Sequence, residues 1–410
     1  MKLPRSSAGL LLWALACGAQ TLRVEDLERM ALEANPSIAQ ARAAVRAAGG
    51  RTRQAGLYPN PVIGATGEHV SPRIQGGALG GFVEQRVVTA GKLGLDRKIA
   101  AEEEKAVEQS AGIWRMRVRN RARTLFYRAM GAERRRSVRV ELAGVAGRTA
   151  ATYAELANVG IADRPDVLGA EIERDKAALA LTQAGFAVDA VWRQIAALVN
   201  RASLAPRELA ADFDAIPEIG FDEALAAIYR DHPELRAAEA MAARSGFALR
   251  RAEVEKVPDL QLRGGLRRNG EILEGVGPPL RRLGLEGIFD VGVELPVFNK
   301  NQGAVTAARF EWDRAKLEAD RVKLELRAAL AEEFRAYGES REAAVRYRET
   351  MIPKAKQALE MYTNNFRQMA VDYPRVLAAW RNLTQLQEDY VSAAESAWIH
   401  AISIQGALVD

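Results

Sequence analysis

The chain has 410 residues, 48% of them hydrophobic, so it can bury a substantial core, in several compact domains or in one elongated one. Three histidines (His69, His232, His400) and one cysteine argue against a structural zinc site, a disulfide framework or a Cys/His catalytic pair. The formal net charge of +5 raises nucleic acid as a partner, but the densest basic cluster, Arg115 to Arg139, spreads around a helix without stacking aromatics or a recognition motif, as solvated or salt-bridged helix surfaces do.

In chain order the first element is an address. Lys2 and Arg5 precede the apolar run Ala8 to Ala16, and small residues follow. A basic head, a short apolar core and a small-residue exit make a secretory signal peptide. Residues 1–19 are read as this leader. Its core is too short to span a bilayer, and no later stretch approaches about eighteen uninterrupted apolar residues. Ala14-Leu15-Ala16 permits ordinary cleavage before Cys17, while Leu15-Ala16-Cys17-Gly18 also resembles a lipobox with Ala14 where leucine is usual. Both readings of Cys17 stand; acylation there would add an anchor worth roughly 0.8 kcal/mol per buried CH₂.

The rest of the chain repeats its own punctuation. Asn35-Pro36 and Pro61 recur as His232-Pro233 and Pro258, shifted by 197 positions. Tyr153, Asp163, Pro165, Val167 and Leu168 recur as Tyr362, Asp372, Pro374, Val376 and Leu377, shifted by 209. The extra dozen residues fit in the Gly/Pro-rich stretch Gly270 to Gly284. Two copies of one supersecondary unit therefore fill the chain. We place them at 20–206 and 221–410, with a linker or equatorial segment at 207–220.

Each copy opens with strands. Leu260, Leu262, Gly264 and Leu266 alternate with Gln261, Arg263, Gly265 and Arg267; Leu285, Gly287, Phe289, Val291, Val293 and Leu295 alternate with Glu286, Ile288, Asp290, Gly292 and Glu294. A period of two predicts strands with one apolar and one charged face. The first copy offers Pro61 to Val70 and Gly81 to Val88, with weaker alternation. Such strands form either a half-buried soluble sheet or the wall of an outer-membrane barrel. The leader and the helices that follow favour the barrel. Four strands cannot close one alone, because an open edge in lipid leaves backbone groups unsatisfied, so other subunits must complete it.

Long helices follow the strands. From Lys92 to Asn158 the sequence holds no proline and is rich in Ala, Glu, Arg and Leu, which lose little rotamer freedom in a helix. About 66 residues at 1.5 Å each predict a helix of roughly 100 Å. Gly112, Gly131, Gly144 and Gly147 each weaken it by about 1 kcal/mol relative to alanine, so neighbouring helices must support it. The second copy runs from about Asn301 to Ala370, where Pro353 predicts a kink or short break. Each long helix turns near Gly160–Pro165 or Met369–Pro374 and returns as the second arm of a hairpin to Val199 or Leu408. On the first return, Val167, Leu168, Ile172, Leu179 and Val188 fall near helical spacing. Carboxylate runs such as Glu102-Glu103-Glu104 and Glu332-Glu333 read as solvated helix faces rather than acid/base pairs.

The order of elements, the Tyr58-Pro59-Asn60-Pro61 entry, the Glu84-Gln85…Thr89-Ala90-Gly91-Lys92 strand-to-helix passage and its counterpart Leu295 to Gly303 resemble the TolC family of outer-membrane efflux proteins; the last stretch is most like the heavy-metal, Czc-type branch. The resemblance implies a mainly α protein with membrane β structure. Three subunits would share one twelve-stranded outer-membrane barrel continuous with a periplasmic α-helical barrel. It also implies a passive, non-enzymatic channel without cofactor or bound metal, working with a periplasmic adaptor (membrane fusion) protein and an inner-membrane resistance-nodulation-division transporter, in outer-membrane lipid and away from nucleic acid. Family members carry acidic rings near the helix-hairpin turns. Asp166, six residues after Gly160, stands at the matching position, whereas Arg375 and Ala378 replace acids in the second copy; Asp163 and Asp372 lie nearby, out of register. Asp163, Asp166, Asp372 and Arg375 are thus the gate candidates, with Asp166 facing Arg375 in a mixed ring. Helix capping is the competing role for Asp166. The rival to a channel is an exported coiled-coil adaptor or scaffold without a pore.

Overall fold

The computed structural model describes residues 21–69, 77–160, 162–202, 204–273, 281–367, 373–406 and 408. Cys17 and Asp372 lie outside them. In chain order the elements are α1 (Val24–Ala34), α2 (Pro36–Ala55), β1 (Val62–Glu68), β2 (Ala78–Val87), α3 (Lys92–Asn158), α4 (Arg164–Leu198), α5 (Phe221–Asp231), α6 (Pro233–Val254), β3 (Leu260–Leu273), β4 (Arg281–Val293) and α7 (Gln302–Arg346). A π-helical turn (Tyr347–Met351), α8 (Ile352–Arg367) and α9 (Tyr373–Gln405) complete the chain. The repeat of two strands and a helical hairpin is observed twice. Two compact units emerge, each drawing on both copies: Ser37–Trp114 with Leu225–Ala328, and Arg115–Ala224 with Ala329 onward and the stretch ending at Pro36.

The first unit carries the sheet, antiparallel in the order β1-β2-β3-β4. Its strands agree with the period-two reading, but the second hairpin is longer than expected. Gly270 to Leu273 and Arg281 to Gly284 are strand, so the insertion assigned to a Gly/Pro-rich stretch largely extends the hairpin, past a register shift between Asn269 and Ile272. Backbone pairing continues across these glycines because antiparallel strands tolerate a bulge at small cost. Each passage from strand to long helix uses left-handed backbone: Ala90 and Gly91 (φ 51° and 68°) before α3, and Asn301 (φ 62°) before α7. The Asn301 side-chain amide donates to the Ala252 carbonyl at 2.8 Å, fastening α7 to the end of α6. His232 caps α6: its buried Nδ1 accepts from the Glu234 N–H at 3.2 Å, and Pro233 occupies the first turn where no amide donor is required.

The second unit is helical. Leu27, Leu125, Phe126, Ile195, Val199, Leu330 and Val391 are its most deeply buried large side chains. Ala394, Ala397 and Ala401 on α9 are fully buried at three- and four-residue spacing, letting backbones approach as in coiled coils. Tyr127 stacks on Trp398 with ring centres 3.9 Å apart, and burial pushes its phenol up to about 12 against the opposing pull of Arg123. The basic cluster on α3 pairs across helices, as read from its scatter: Arg123 with Glu28, Arg135 with Glu395, and Arg139 with Glu388. Gly131 lies against the Glu395 carboxylate, where a side chain would collide.

α3 runs unbroken for 67 residues, about 100 Å by helical rise. Its counterpart is interrupted. Pro353 sits in the first turn of α8, directly after the π turn, and the Ile352 N–H reaches back to the Tyr347 carbonyl. The missing proline donor is absorbed by one widened turn rather than a gap. α4 is helical across the positions whose spacing indicated a helix. Val167 and Val188 are buried as a core stripe should be, whereas Leu168, Ile172 and Leu179 are 44%, 54% and 60% exposed. Periodicity marks apolar positions without stating whether a partner within the chain exists to cover them.

Candidate functional site

Three features stand out as functional surfaces: the two-faced sheet, the junction beneath it, and the turn of the helical hairpins. The sheet comes first because its register sorts side chains strictly. Val62, Glu84, Arg263 and Asp290 share one row; Ile63, Val83, Gly264 and Phe289 share the next. Successive rows alternate between faces. One face therefore carries Glu68, Glu84, Arg263, Arg267, Glu286 and Asp290. The other carries Ile63, Leu79, Val83, Leu266, Leu285, Phe289, Val291 and Val293, with Gln85 and Arg268 toward its ends. The apolar face is uncovered: Ile63 is 81% exposed and Phe289 75%. A soluble protein rarely leaves so continuous an apolar face open.

The polar face is organised. Arg267 bridges Glu286 at 2.8 Å and also Glu68 at 2.5 Å, and Asn269 donates to Glu286 at 3.1 Å. The Arg263 guanidinium lies 3.7 Å from the Phe82 ring centre, while Phe82 rests over Gly64, where a β-carbon would meet the ring. The strands β2, β3 and β4 have 10, 14 and 13 residues, enough for the about 9–11 that cross a bilayer in a tilted strand. Among the described residues β1 and β4 each pair on one side only, so the described sheet ends in two open edges.

Where strands meet helices, Lys92 and Asp259 form an ion pair at 2.9 Å, with side chains 3% and 9% exposed. Asp259 also accepts from the Thr89 N–H at 3.1 Å and from Arg86 Nη2 at 2.6 Å. Burial opposes its ionisation, but Lys92, the Thr89 amide and Arg86 together outweigh that cost and hold the carboxyl well below the usual carboxylate range. The Thr89 hydroxyl donates to the Pro258 carbonyl at 2.7 Å. This cluster ties the end of the first copy's strand pair to the start of the second's. Thr89, Lys92 and Pro258 were visible as motif residues; their convergence was not, because some 170 positions separate them. Lys92, Pro258 and Asp259 also line a cavity of about 510 Å³ with Leu295, Pro296 and Phe298.

At the hairpin turn, Asp163 rather than Asp166 is the N-cap of α4, with extended backbone (φ −88°, ψ 158°) and no capping hydrogen bond to its side chain among the described residues. Its carbonyl accepts from the Asp166 N–H at 3.0 Å. Asp166 lies in the first helical turn, where its charge complements the helix dipole. Both are exposed, as is Arg375 on α9. Arg375 borders a groove of about 270 Å³ with Tyr362, Ala378 and Asn382. Among the described residues no ion pair joins Asp166 to Arg375; α4 and α9 are instead linked by Glu173 and Arg381. Behind the turn, Ala355, Leu359, Val376 and Leu383 hold α8 to α9. No cluster of three or more His, Cys, Asp or Glu able to hold a metal occurs among the described residues, and no helix there is long and apolar enough to cross a membrane.

No family model matches the sequence. The chain is 24% identical over 279 residues to the cobalt-zinc-cadmium resistance protein CzcC of Cupriavidus metallidurans; the match covers 68% of this chain and 64% of that protein, just under two thirds of its length. Solved structures agree over more of the chain. The crystal structure of the channel-forming protein CusC matches with a TM-score of 0.78 at 14% identity, covering 94% of this chain and 91% of that one. The outer-membrane protein VceC of Vibrio cholerae matches at 0.74 and 18% identity, covering 94% and 96%. The open state of the outer-membrane channel MtrE of Neisseria gonorrhoeae matches at 0.69 and 17%, covering 94% and 89%. The fold is that of these outer-membrane proteins, as the resemblance read from the sequence implies.

Proposed function

We propose that the chain is one subunit of an outer-membrane efflux channel. The observation that carries this reading is the sheet: one continuous apolar face, one charged face and two open edges, on strands long enough to cross a bilayer. Four strands are too few to close a membrane barrel, and an open edge in hydrocarbon leaves several kcal/mol of unsatisfied backbone per group. Three copies of the four-stranded sheet give twelve strands and no edge. Ile63, Leu285 and Phe289 then meet lipid, while Glu84, Arg263, Arg267 and Asp290 line water.

Conduction through such a wall is passive. Energy comes from an inner-membrane transporter acting through a periplasmic adaptor at the helical end. The heavy-metal branch of the resemblance, and the relative named for resistance to cobalt, zinc and cadmium, make divalent metal ions the first cargo to test. At the hairpin turn, Asp166 of one subunit and Arg375 of another close the periplasmic end by opposite charge, which the exposure of both side chains and the absence of an Asp166–Arg375 pair within the chain allow. A poreless scaffold, by contrast, gives the apolar sheet face no role.

Membrane fractionation and planar-bilayer recording test the reading together. Heat-modifiable trimers in the outer-membrane fraction and stepwise ion conductance are expected. A soluble periplasmic monomer without conductance overturns it. Growth of a deletion strain across metals and drugs then identifies the cargo.

A further inference from the structure

The segment 212–218 has no regular secondary structure, yet it is bound on every side. The Phe213 carbonyl accepts from Trp398 Nε1 at 2.9 Å, and the Asp214 carboxylate accepts from the Tyr390 hydroxyl at 2.5 Å, both donors on α9. The Asp214 carbonyl accepts from Arg348 Nη1 at 2.8 Å, inside the π turn. The Pro217 carbonyl accepts from the Tyr337 hydroxyl, and Glu218 pairs with Arg341 at 3.6 Å, both on α7. Tyr337 and Tyr390 are 4% and 6% exposed, so their bonds are interior, whereas the Arg348 and Glu218–Arg341 contacts lie at the surface.

These anchors bracket one joint. Tyr337 and Arg341 precede the π turn, Arg348 lies in it, and Tyr390 and Trp398 stand on α9, the helix that packs on α8 beyond it. π turns are uncommon and concentrate at functional sites, and Pro353 next to this one denies the helix a donor with which to regularise. Beside the joint, a cavity of about 290 Å³ lined by Asp214, Arg348, Ile352, Pro353 and Tyr390 leaves room for the turn to rearrange. The equivalent stretch of the first copy is continuous helix, with Gly144 at the position matching Pro353.

We propose that segment 212–218 is a strap that locks the π joint of the second hairpin and so holds the channel at rest; this rests on the channel reading for its regulatory consequence, and on the bonds above for the lock itself. Removing the Asp214 carboxylate frees the Tyr390 anchor while the Arg348 bond to the Asp214 carbonyl stays with the backbone, and the loosened α8–α9 arm then moves about the joint while the uninterrupted first hairpin stays as it is.

Hydrogen exchange and single-channel recording on the full-length trimer test the two parts separately. In Asp214→Ala, amides of 347–356 are expected to exchange at least about tenfold faster than in the wild type, with those of 140–150 on α3 unchanged, and open probability is expected to rise. Tyr390→Phe removes one hydroxyl and keeps the ring, so it serves should Asp214→Ala misfold; the same changes, smaller, are expected. Unchanged exchange at 347–356 in Tyr390→Phe overturns the lock. Faster exchange with unaltered open probability overturns its regulatory role. A wild-type trimer that never conducts defeats the channel reading instead, and leaves the exchange result to judge the lock.

Discussion

The two long helices descend from one repeated pattern and reach different ends. α3 carries five glycines and remains a single rod, supported by cross-helix pairs such as Arg135–Glu395 and by close approach at Gly131. The α7–α8 arm carries one proline at the critical place and becomes a jointed rod, with a π turn, an adjoining cavity and the strap laid against it. Glycine weakens a helix through the unfolded chain and can be offset by packing; proline removes a donor that no packing returns. Duplication therefore supplies near-symmetric walls, and a few substitutions decide which wall bends.

The copies differ as much where strands pass into helices, and exchanging their residues there has the largest expected effect. Lys92 opens α3 and Gln302 opens α7. Lys92→Gln brings the second copy's residue into the first and leaves Asp259 buried with Arg86 as its remaining cation. Removing one partner of a buried pair costs about 3–5 kcal/mol, and a loss near the lower end is expected because Arg86 and the Thr89 amide remain; chemical denaturation followed by helical signal measures it. The same junction carries a pH signature. A carboxyl held below its ordinary pKa in the folded state contributes stability that is complete above the unfolded value, about 3.9, and is lost as pH falls through the folded value. The stability gap between wild type and Asp259→Asn is accordingly expected to be constant near neutrality and to shrink below about pH 4. A gap as large at pH 2 as at neutrality contradicts ionisation of Asp259 as its source.

Pro353→Ala makes the second helix more like the first. Restoring a donor and a good helix former is expected to stabilise the arm by about 1–2 kcal/mol, less than the roughly 3 kcal/mol separating alanine from proline in a helix interior because Pro353 already sits in a first turn. Slower amide exchange at 349–356 is the readout. Asp166→Ala with Arg375→Ala is expected to raise conductance with little change in stability, since both side chains are exposed; unchanged conductance and ion preference dismiss the mixed ring. At the small end, Arg335 pairs with Glu332 and Glu339 on an exposed face of α7. Arg335→Ala is expected to leave the unfolding midpoint almost unchanged, because exposed pairs within a helix contribute little.

Much of the fold was legible because its signals are local. The start of α3 at Lys92, its end at Asn158 and the return to Leu198 follow from proline-free helix formers closed by Gly160 and Pro165, and the two faces of β3 and β4 follow from strict alternation. The functional surfaces were less so. Asp163 and Asp166 could be seen together at a helix start, but which one takes the cap depends on the backbone angles of the turn. Asp214 sits in a linker with no motif at all, and only the return of α7, the π turn and α9 to the same place gives that linker its five anchors.

By itself the sequence determined the repeat, the period of each element and the position of the proline, because helix propensity, strand alternation and missing donors act within a few residues of where they are written. The tertiary structure alone decided that Lys92 meets Asp259, that Leu168, Ile172 and Leu179 stay exposed among the described residues, and that the break at Pro353 takes the form of a π turn held by Asp214. Those outcomes depend on residues more than a hundred positions apart arriving within hydrogen-bonding distance, and no local preference encodes which of many possible partners will be there.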